Sequence, residues 1–496
     1  MARGRYVRRA GGFQADRKTI VDISGTARHR RTVELRLLAF ALLLVLAAMV
    51  LVDLSQPSLP VWHGWTLALV FASLCGAAHV AIRRWAPLAD PVLLPGVAVL
   101  NGLGLTMIHR LDFAYALAAQ QEGSPAPAPD APRQLLWTAV SVALFAAVVA
   151  LVHDHRKLSR YTYLAGLLGL VLLVLPGLLP ASLSEVNGAK LWLRLGPLSI
   201  QPVELSKILV IVFAAGFLVA KRHLFTSAGK QVLGMELPRA RDLGPLLVMW
   251  LASVCVVTFE KELGAALLFF GVALAMIYIA TERVSWVLAG LCLFVVGCVA
   301  AYTMFTHIQQ RVSTWLDPVG TYDQPGGGYQ VSQSLFGLGT GGLTGTGLGQ
   351  GRPDLVPFAG TDFISGAFGE ELGFTGLAAI VVLYLLLTTR GLRAALAARD
   401  NFGKLLAGGL SFSLALQVFV VVGGVTALIP LAGMTLPWLS YGGSSLLTNY
   451  LALALLLRVS DAGAAVDHRT RAAAPAPLAE AATVLVGRLP QGPDVT

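Results

Sequence analysis

Long apolar stretches separated by short polar or basic ones recur along almost the whole chain, and a helix crosses bilayer hydrocarbon with about 20 mostly apolar residues. Twelve stretches meet that length, near 35–54, 63–82, 90–108, 134–152, 160–180, 201–220, 243–260, 262–280, 284–305, 362–388, 404–424 and 436–458. The pattern predicts an all-α polytopic integral membrane protein of about twelve transmembrane helices. Glu260, Lys261 and Glu262 divide the seventh stretch from the eighth, and such charges are too costly to leave facing lipid. Before the third-last helix lies the one long polar insertion, 307–361, which gathers acids, glycines and aromatics in a single loop. Chemistry or recognition is expected there.

Composition and charge add an orientation. Of 496 residues 56% are hydrophobic and 13% charged, which excludes an ordinary soluble domain. A run of basic residues from Arg3 to Arg36 opens the chain, and alternate loops carry Arg83 and Arg84, Arg156 and Lys157, Lys221 to Arg241, Arg283, and Arg390 to Lys404. Cytoplasmic loops are the ones enriched in Lys and Arg. The prediction is a multi-pass protein of the cytoplasmic membrane with both termini cytoplasmic and the 307–361 loop outside. The net charge of +10 then reflects this asymmetry and attraction to anionic membrane lipids, with no need for a nucleic-acid partner. Residues 1–34 and 461–496 lack patterned hydrophobicity and are expected to be disordered tails around one membrane domain, 35–460. The polar, Arg-rich start and the long first apolar stretch argue against a cleavable signal peptide. Cys75, Cys255, Cys292 and Cys298 lie in apolar stretches without metal spacing, so buried packing is expected.

Glu204 and Lys207, three residues apart after Pro202, share one face of the helix they open, sunk a turn into the membrane. Lining a cavity and bracing neighbouring helices are equally compatible with such a pair. Trp192 reads as an interfacial anchor. The glycines from Gly337 to Gly351 have no following Lys-Ser/Thr and form no phosphate loop; flexible backbone that approaches a sugar or headgroup is the expectation. Among the loop acids Asp317, Asp323, Asp354 and Asp362, the last is placed to cap the helix that follows, and Glu370 and Glu371 farther in demand partners. The turn from Ser440 to Ser445 implies backbone packed tightly on another element. It lacks Gly-x-Ser-x-Gly and a His partner, so no nucleophilic serine is expected.

Six ordered blocks between about 187 and 458 carry a family resemblance: Asn187-Gly-Ala-Lys-Leu-Trp192, Gln201-Pro-Val-Glu-Leu-Ser-Lys207, Gly328-Tyr-Gln-Val-Ser-Gln-Ser334, Thr361-Asp-Phe-Ile364, Gly369-Glu-Glu-Leu-Gly373 and Pro437-Trp-Leu-Ser-Tyr-Gly-Gly-Ser-Ser445. They resemble those of the SEDS family of cell-wall proteins, typified by RodA, FtsW and SpoVE. The stretches Asn101-Gly-Leu-Gly104 and Met107-Ile-His-Arg110, with two extra N-terminal helices, are most similar to the actinobacterial RodA branch. The resemblance implies a peptidoglycan glycosyltransferase that polymerises lipid II outside the cytoplasmic membrane during elongation. It would join the GlcNAc 4-hydroxyl of one disaccharide to the anomeric carbon of another's MurNAc, releasing undecaprenyl pyrophosphate.

Such a displacement needs a base at the hydroxyl and positive charge at the departing phosphate. The family's essential aspartate, counted back from Gly328-Tyr-Gln330, falls on Asp323 in preference to Asp317, although its usual Asp-Pro reads Asp323-Gln-Pro325 here. The resemblance also implies that Glu204 and Lys207 line the substrate cavity, with Lys207 meeting the pyrophosphate and Lys190 and Arg194 as further substrate contacts. Where the family often reads Glu-Pro-Asp-Leu-Gly, this chain has Glu260-Lys-Glu-Leu-Gly264. The implied partner is a class B penicillin-binding protein acting as transpeptidase. No cofactor and no metal are implied, because the donor is already activated. A lipid II flippase or transporter, a division-type FtsW paralogue, and a scaffold that only recruits the transpeptidase are the competing readings.

Overall fold

The computed structural model describes residues 10–55, 62–186, 189–195, 198–221, 230–232, 235–237, 248, 251–252, 254–255, 262–324 and 328–473. Helices α1 (Ala10–Ser55), α2 (Trp62–Trp85), α3 (Leu93–Gln121), α4 (Asp130–Leu151) and α5 (Thr162–Leu178) come first. After the one-turn α6 (Ala181–Ser184), two antiparallel hairpins, β1 (Glu185–Val186) with β2 (Ala189–Lys190) and β3 (Leu193–Leu195) with β4 (Leu198–Ile200), lead into α7 (Pro202–Ala220). A third hairpin, β5 (Lys230–Val232) with β6 (Met235–Leu237), precedes α8 (Leu263–Thr281) and α9 (Val284–Met304). The polar insertion holds α10 (Thr306–Leu316) and α11 (Gly328–Gly341), and α12 (Ile364–Glu371), α13 (Gly373–Ala397), α14 (Asn401–Val425) and α15 (Gly443–Ala473) complete the chain.

Ten of the described helices are long and apolar enough to cross a membrane. The stretch at 90–108 forms α3, which Asn101, His109, Arg110 and Asp112 make more polar and which is not among the ten. The stretch at 243–260 lies largely outside the described residues. One apolar core joins α1 to α4 with α12 to α15, and a second joins α5, α7, α8 and α14. None of α9 is buried, and its apolar side chains face outward as lipid-facing ones do. Cys292 and Cys298 sit on it and Cys255 is also exposed, so only Cys75 has the expected burial.

Charges inside the bundle pair at its ends. Arg31 pairs with Glu34, Glu34 bonds His79 Nδ1 at 2.6 Å, and Arg31 Nη2 donates to the Ala89 carbonyl at 2.5 Å. Asp461 accepts from the Leu88 amide at 2.8 Å, and Arg458 donates to the carbonyls of Trp85, Val152 and His153. These contacts correct both tail boundaries. Residues 24–34 belong to α1, and α15 runs past 460 to Ala473. Bonds to the α2–α3 connection fasten Arg31 in the first segment and Asp461 in the second.

The predicted helix at 362–388 is also two helices. Gly373 takes φ +68°, and Phe374 and Thr375 donate their amides to the carbonyls of Gly342 and Leu343 at 2.9 and 3.1 Å. A left-handed residue cannot continue a right-handed helix, so the chain breaks where the glycine-rich loop docks.

Candidate active site

The glycine-rich run is built into the scaffold. Glu371 receives Arg110 Nε at 3.0 Å and the Gly349 amide at 2.9 Å, while Arg110 Nη2 donates to the Gly351 carbonyl at 2.7 Å. Glu370 accepts from the Arg352 amide at 2.6 Å, and its carbonyl accepts from the Thr346 amide at 3.0 Å. The amides of Thr346, Gly347, Gly349 and Arg352 are thus engaged with Glu370 and Glu371. This overturns the expectation of a flexible loop and supplies the partners those acids required.

The turn that carries Asp323 is held from two sides. Upstream, α10 is fastened to the loop between α14 and α15: Trp315 Nε1 donates to the Ala427 carbonyl and Arg311 Nη1 to that of Leu431, both at 2.9 Å. Downstream, α11 grips the turn through Ser332 Oγ on the Pro318 carbonyl at 2.9 Å and Gln333 Nε2 on the Tyr322 hydroxyl at 2.8 Å. Tyr322 and Tyr329 meet edge to face at 5.0 Å. A Cβ on Gly328 would lie 2.3 Å from the Thr321 carbonyl oxygen, so only glycine lets α11 approach this closely. Asp317 is committed to the turn itself, since Oδ1 accepts from the Gly320 amide at 2.8 Å. Asp323 is exposed, and among the described residues no hydrogen bond or ion pair occupies its carboxylate.

Glu204 and Lys207 come together on the first turns of α7, which Pro202 begins at a position where no amide is needed. Lys207 Nζ donates to Glu204 Oε2 at 3.0 Å and to Gln417 Oε1 of α14 at 2.8 Å. All three residues are buried. Lys190 Nζ reaches the Leu179 carbonyl at 3.4 Å and Arg194 is exposed on β3; neither has a hydrogen bond or ion pair to Glu204 or Lys207, nor does Asp323.

Around this pair lies a polar cluster that the sequence left unassigned. The Gln201 amide donates to Ser444 Oγ at 2.8 Å and its side chain binds Glu262 at the start of α8. Arg311 stands between the charges of Asp362 and Glu262; burial lowers its pKa and both acids oppose that. Asp362 does not cap α12, whose N-cap Phe363 makes no side-chain bond. Desolvation pushes its carboxyl up to about 6 against the pull of Arg311. The serines of the last block are also engaged: Ser440 Oγ donates to the Thr361 carbonyl at 2.6 Å, and Ser445 Oγ accepts from Thr435 Oγ1 at 2.9 Å. A polar amide deep within an apolar stretch, such as Gln417 in 404–424, was the signal available for this cluster.

Fold and site define a multi-pass membrane protein that brings a buried Glu–Lys pair, a desolvated Arg–carboxylate group and an exposed aspartate on a held turn to one end of its bundle. The chain belongs to the FtsW/RodA/SpoVE family of cell cycle proteins, whose pattern matches residues 91–464. It is 55% identical over 460 residues to the peptidoglycan glycosyltransferase RodA of Mycobacterium tuberculosis H37Rv, covering 93% of this chain and 96% of that one. The Mycobacterium leprae protein of the same name is 51% identical over 470 residues, covering 95% and 98%. Stage V sporulation protein E of Bacillus subtilis 168 is 35% identical over 337 residues, covering 66% and 86%. Among solved structures, a chain from work on the structural coordination of polymerization and crosslinking by a peptidoglycan synthase complex matches with TM-score 0.52 and 25% identity, over 80% of this chain and 98% of that one.

Proposed function

We propose that the protein is a peptidoglycan glycosyltransferase of the RodA type, polymerising lipid II for cell elongation. The relatives named RodA at 51–55% identity over nearly their full length support the activity class. The observation that carries the chemistry is the contrast between two aspartates: Asp317 is engaged by the turn, whereas Asp323 stands on the same turn with no partner for its carboxylate among the described residues. In this reading Asp323 takes the proton from the GlcNAc 4-hydroxyl as the oxygen bonds to the anomeric carbon. The bond from that carbon to the phosphate oxygen breaks, and undecaprenyl pyrophosphate leaves with the electron pair. Lys207 supplies fixed positive charge at the departing phosphate, Glu204 keeps it in place, and Lys190 and Arg194 meet the headgroup at the membrane surface.

The test is purified protein given lipid II, with Asp323→Ala, Asp323→Asn and Asp317→Ala. Polymer from the wild type and Asp317→Ala, with loss of at least about 100-fold in both Asp323 variants, is the expected result. Lipid II moved across vesicles without polymer would favour a flippase. Full complementation of a deletion strain by Asp323→Ala would favour a scaffold. The synthase complex to which the solved relative belongs supports a transpeptidase partner, for which a class B penicillin-binding protein is the expected kind. Charge bias supports cytoplasmic termini, which labelling of single cysteines placed near residues 30 and 320 from either side of the membrane would check.

A further inference from the structure

Lys207 is held by two acceptors of different kinds. Glu204, three residues earlier on the same helix, offers a carboxylate at 3.0 Å, and Gln417 offers a neutral amide oxygen at 2.8 Å from α14. An ammonium has three N–H donors, so one remains beyond these two. The cleft that Lys207 borders between α7 and α8 is otherwise apolar, lined by Val210, Phe213, Leu268, Phe269 and Met276, and among the described residues it holds no acceptor for that donor.

Gln417 is itself fixed. It is 1% exposed, and Nε2 donates to the Thr435 carbonyl at 2.9 Å. Thr435 Oγ1 donates to Ser445 Oγ, which also receives Asn449 Nδ2 at 3.1 Å. The amide cannot flip without setting two donors face to face at Lys207 and two acceptors face to face at Thr435. The Thr435 carbonyl therefore dictates that Lys207 meets the oxygen of the Gln417 amide. Glu204 alone would let the long lysine stem settle along α7, as i,i+3 pairs do. Gln417 draws Nζ across to α14 without adding charge, so the pair stays neutral in sum.

We infer that Gln417 is a positioning residue that aims Lys207 and leaves its third donor and its positive field for an anionic ligand, the leaving phosphate. This rests on the reading of Lys207 given above. Neutrality of Gln417 is central: a second carboxylate would hold the ammonium in an acid–base–acid sandwich and weaken its field.

The experiment measures lipid II polymerisation by the full-length protein across pH for the wild type, Gln417→Met, Gln417→Glu and Lys207→Gln, with thermal unfolding of each. Gln417→Met keeps the shape and removes the acceptor. Its kcat is expected to fall about 10- to 100-fold at every pH, with KM within about threefold of wild type. In Gln417→Glu the introduced carboxyl, once protonated, can accept from Lys207 and donate to the Thr435 carbonyl as the amide does. That variant should therefore regain kcat as pH falls and its carboxyl protonates, a rise the wild type lacks. A merely structural role would move unfolding temperature without that recovery. Wild-type kcat in Gln417→Met, or a folded Gln417→Glu without pH-dependent recovery, overturns this inference while leaving Lys207 in place. Wild-type turnover in Lys207→Gln overturns the role of Lys207 and this inference with it.

Discussion

Replacing Arg110 by Met tests how the glycine-rich loop is held. Arg110 and Glu371 are 3% and 0% exposed, and the guanidinium serves two acceptors, Glu371 Oε1 at 3.0 Å and the Gly351 carbonyl at 2.7 Å. Without it, among the described residues, Glu371 keeps the Gly349 amide at 2.9 Å as its side-chain partner, so a buried carboxylate loses its countercharge. Removing one partner of a buried ion pair costs about 3–5 kcal/mol. That is a factor of roughly 100 to 4,000 in the folding constant, at about 1.4 kcal/mol per tenfold. Glu371→Gln is milder, because its amide oxygen still accepts from Arg110, and a loss of about 1–2 kcal/mol is expected. Arg110→Met with Glu371→Met removes both charges, and such replacements are often close to neutral. Thermal and denaturant unfolding in detergent measure the series, and amide exchange over 345–352 reports whether the loop loosens first. Should Arg110→Met lie within about 1 kcal/mol of wild type, or should the double variant be as unstable as the sum of the singles, the pair is not what holds the loop.

Other outcomes follow from the same geometry. Asp400 is desolvated, yet bonds from His155 and the Gly403 amide and the charges of His155 and Arg156 outweigh this and hold its carboxyl at about 2 instead of 3.8. Its contribution, about 1 kcal/mol once solvent screening is allowed for, is therefore present above the ordinary carboxylate value and lost as pH falls through the lowered one. Asp400→Asn should flatten acid unfolding in that window. Gly104→Ala would place a Cβ 2.1 Å from the Leu439 carbonyl oxygen, backbone that cannot swing aside, and should lower stability by at least about 2 kcal/mol in the same melts. Trp315→Phe removes the bond from α10 to the Ala427 carbonyl. If α10 steadies the Asp323 turn, kcat for polymer synthesis should drop about 10-fold with KM little changed.

The helices were legible because each is a local composition of apolar residues long enough for a bilayer. Ends were less legible where other parts of the chain decide them. Residues 24–34 looked like a basic tail, but Arg31 and Glu34 find His79 and the Ala89 carbonyl across the fold. Residues 362–388 looked like one helix, but Gly373 turns left-handed where the Gly342–Leu343 backbone meets it. Asp362 suited a cap by position alone, and it faces Arg311, 51 residues earlier, at a distance no local pattern encodes.

The candidate site divides along the same line. Membrane class, the polar loop and the Glu204–Lys207 face follow from order and spacing along the chain, because each depends on residue type or near neighbours, and the preference for Asp323 follows from the family resemblance of the blocks around it. Which acids are free and which are engaged depends on contacts between distant segments. Tertiary structure alone decides that Glu370 and Glu371 serve the scaffold, that no described residue occupies the carboxylate of Asp323, and that Gln417, 210 residues from Lys207, accepts a bond from it.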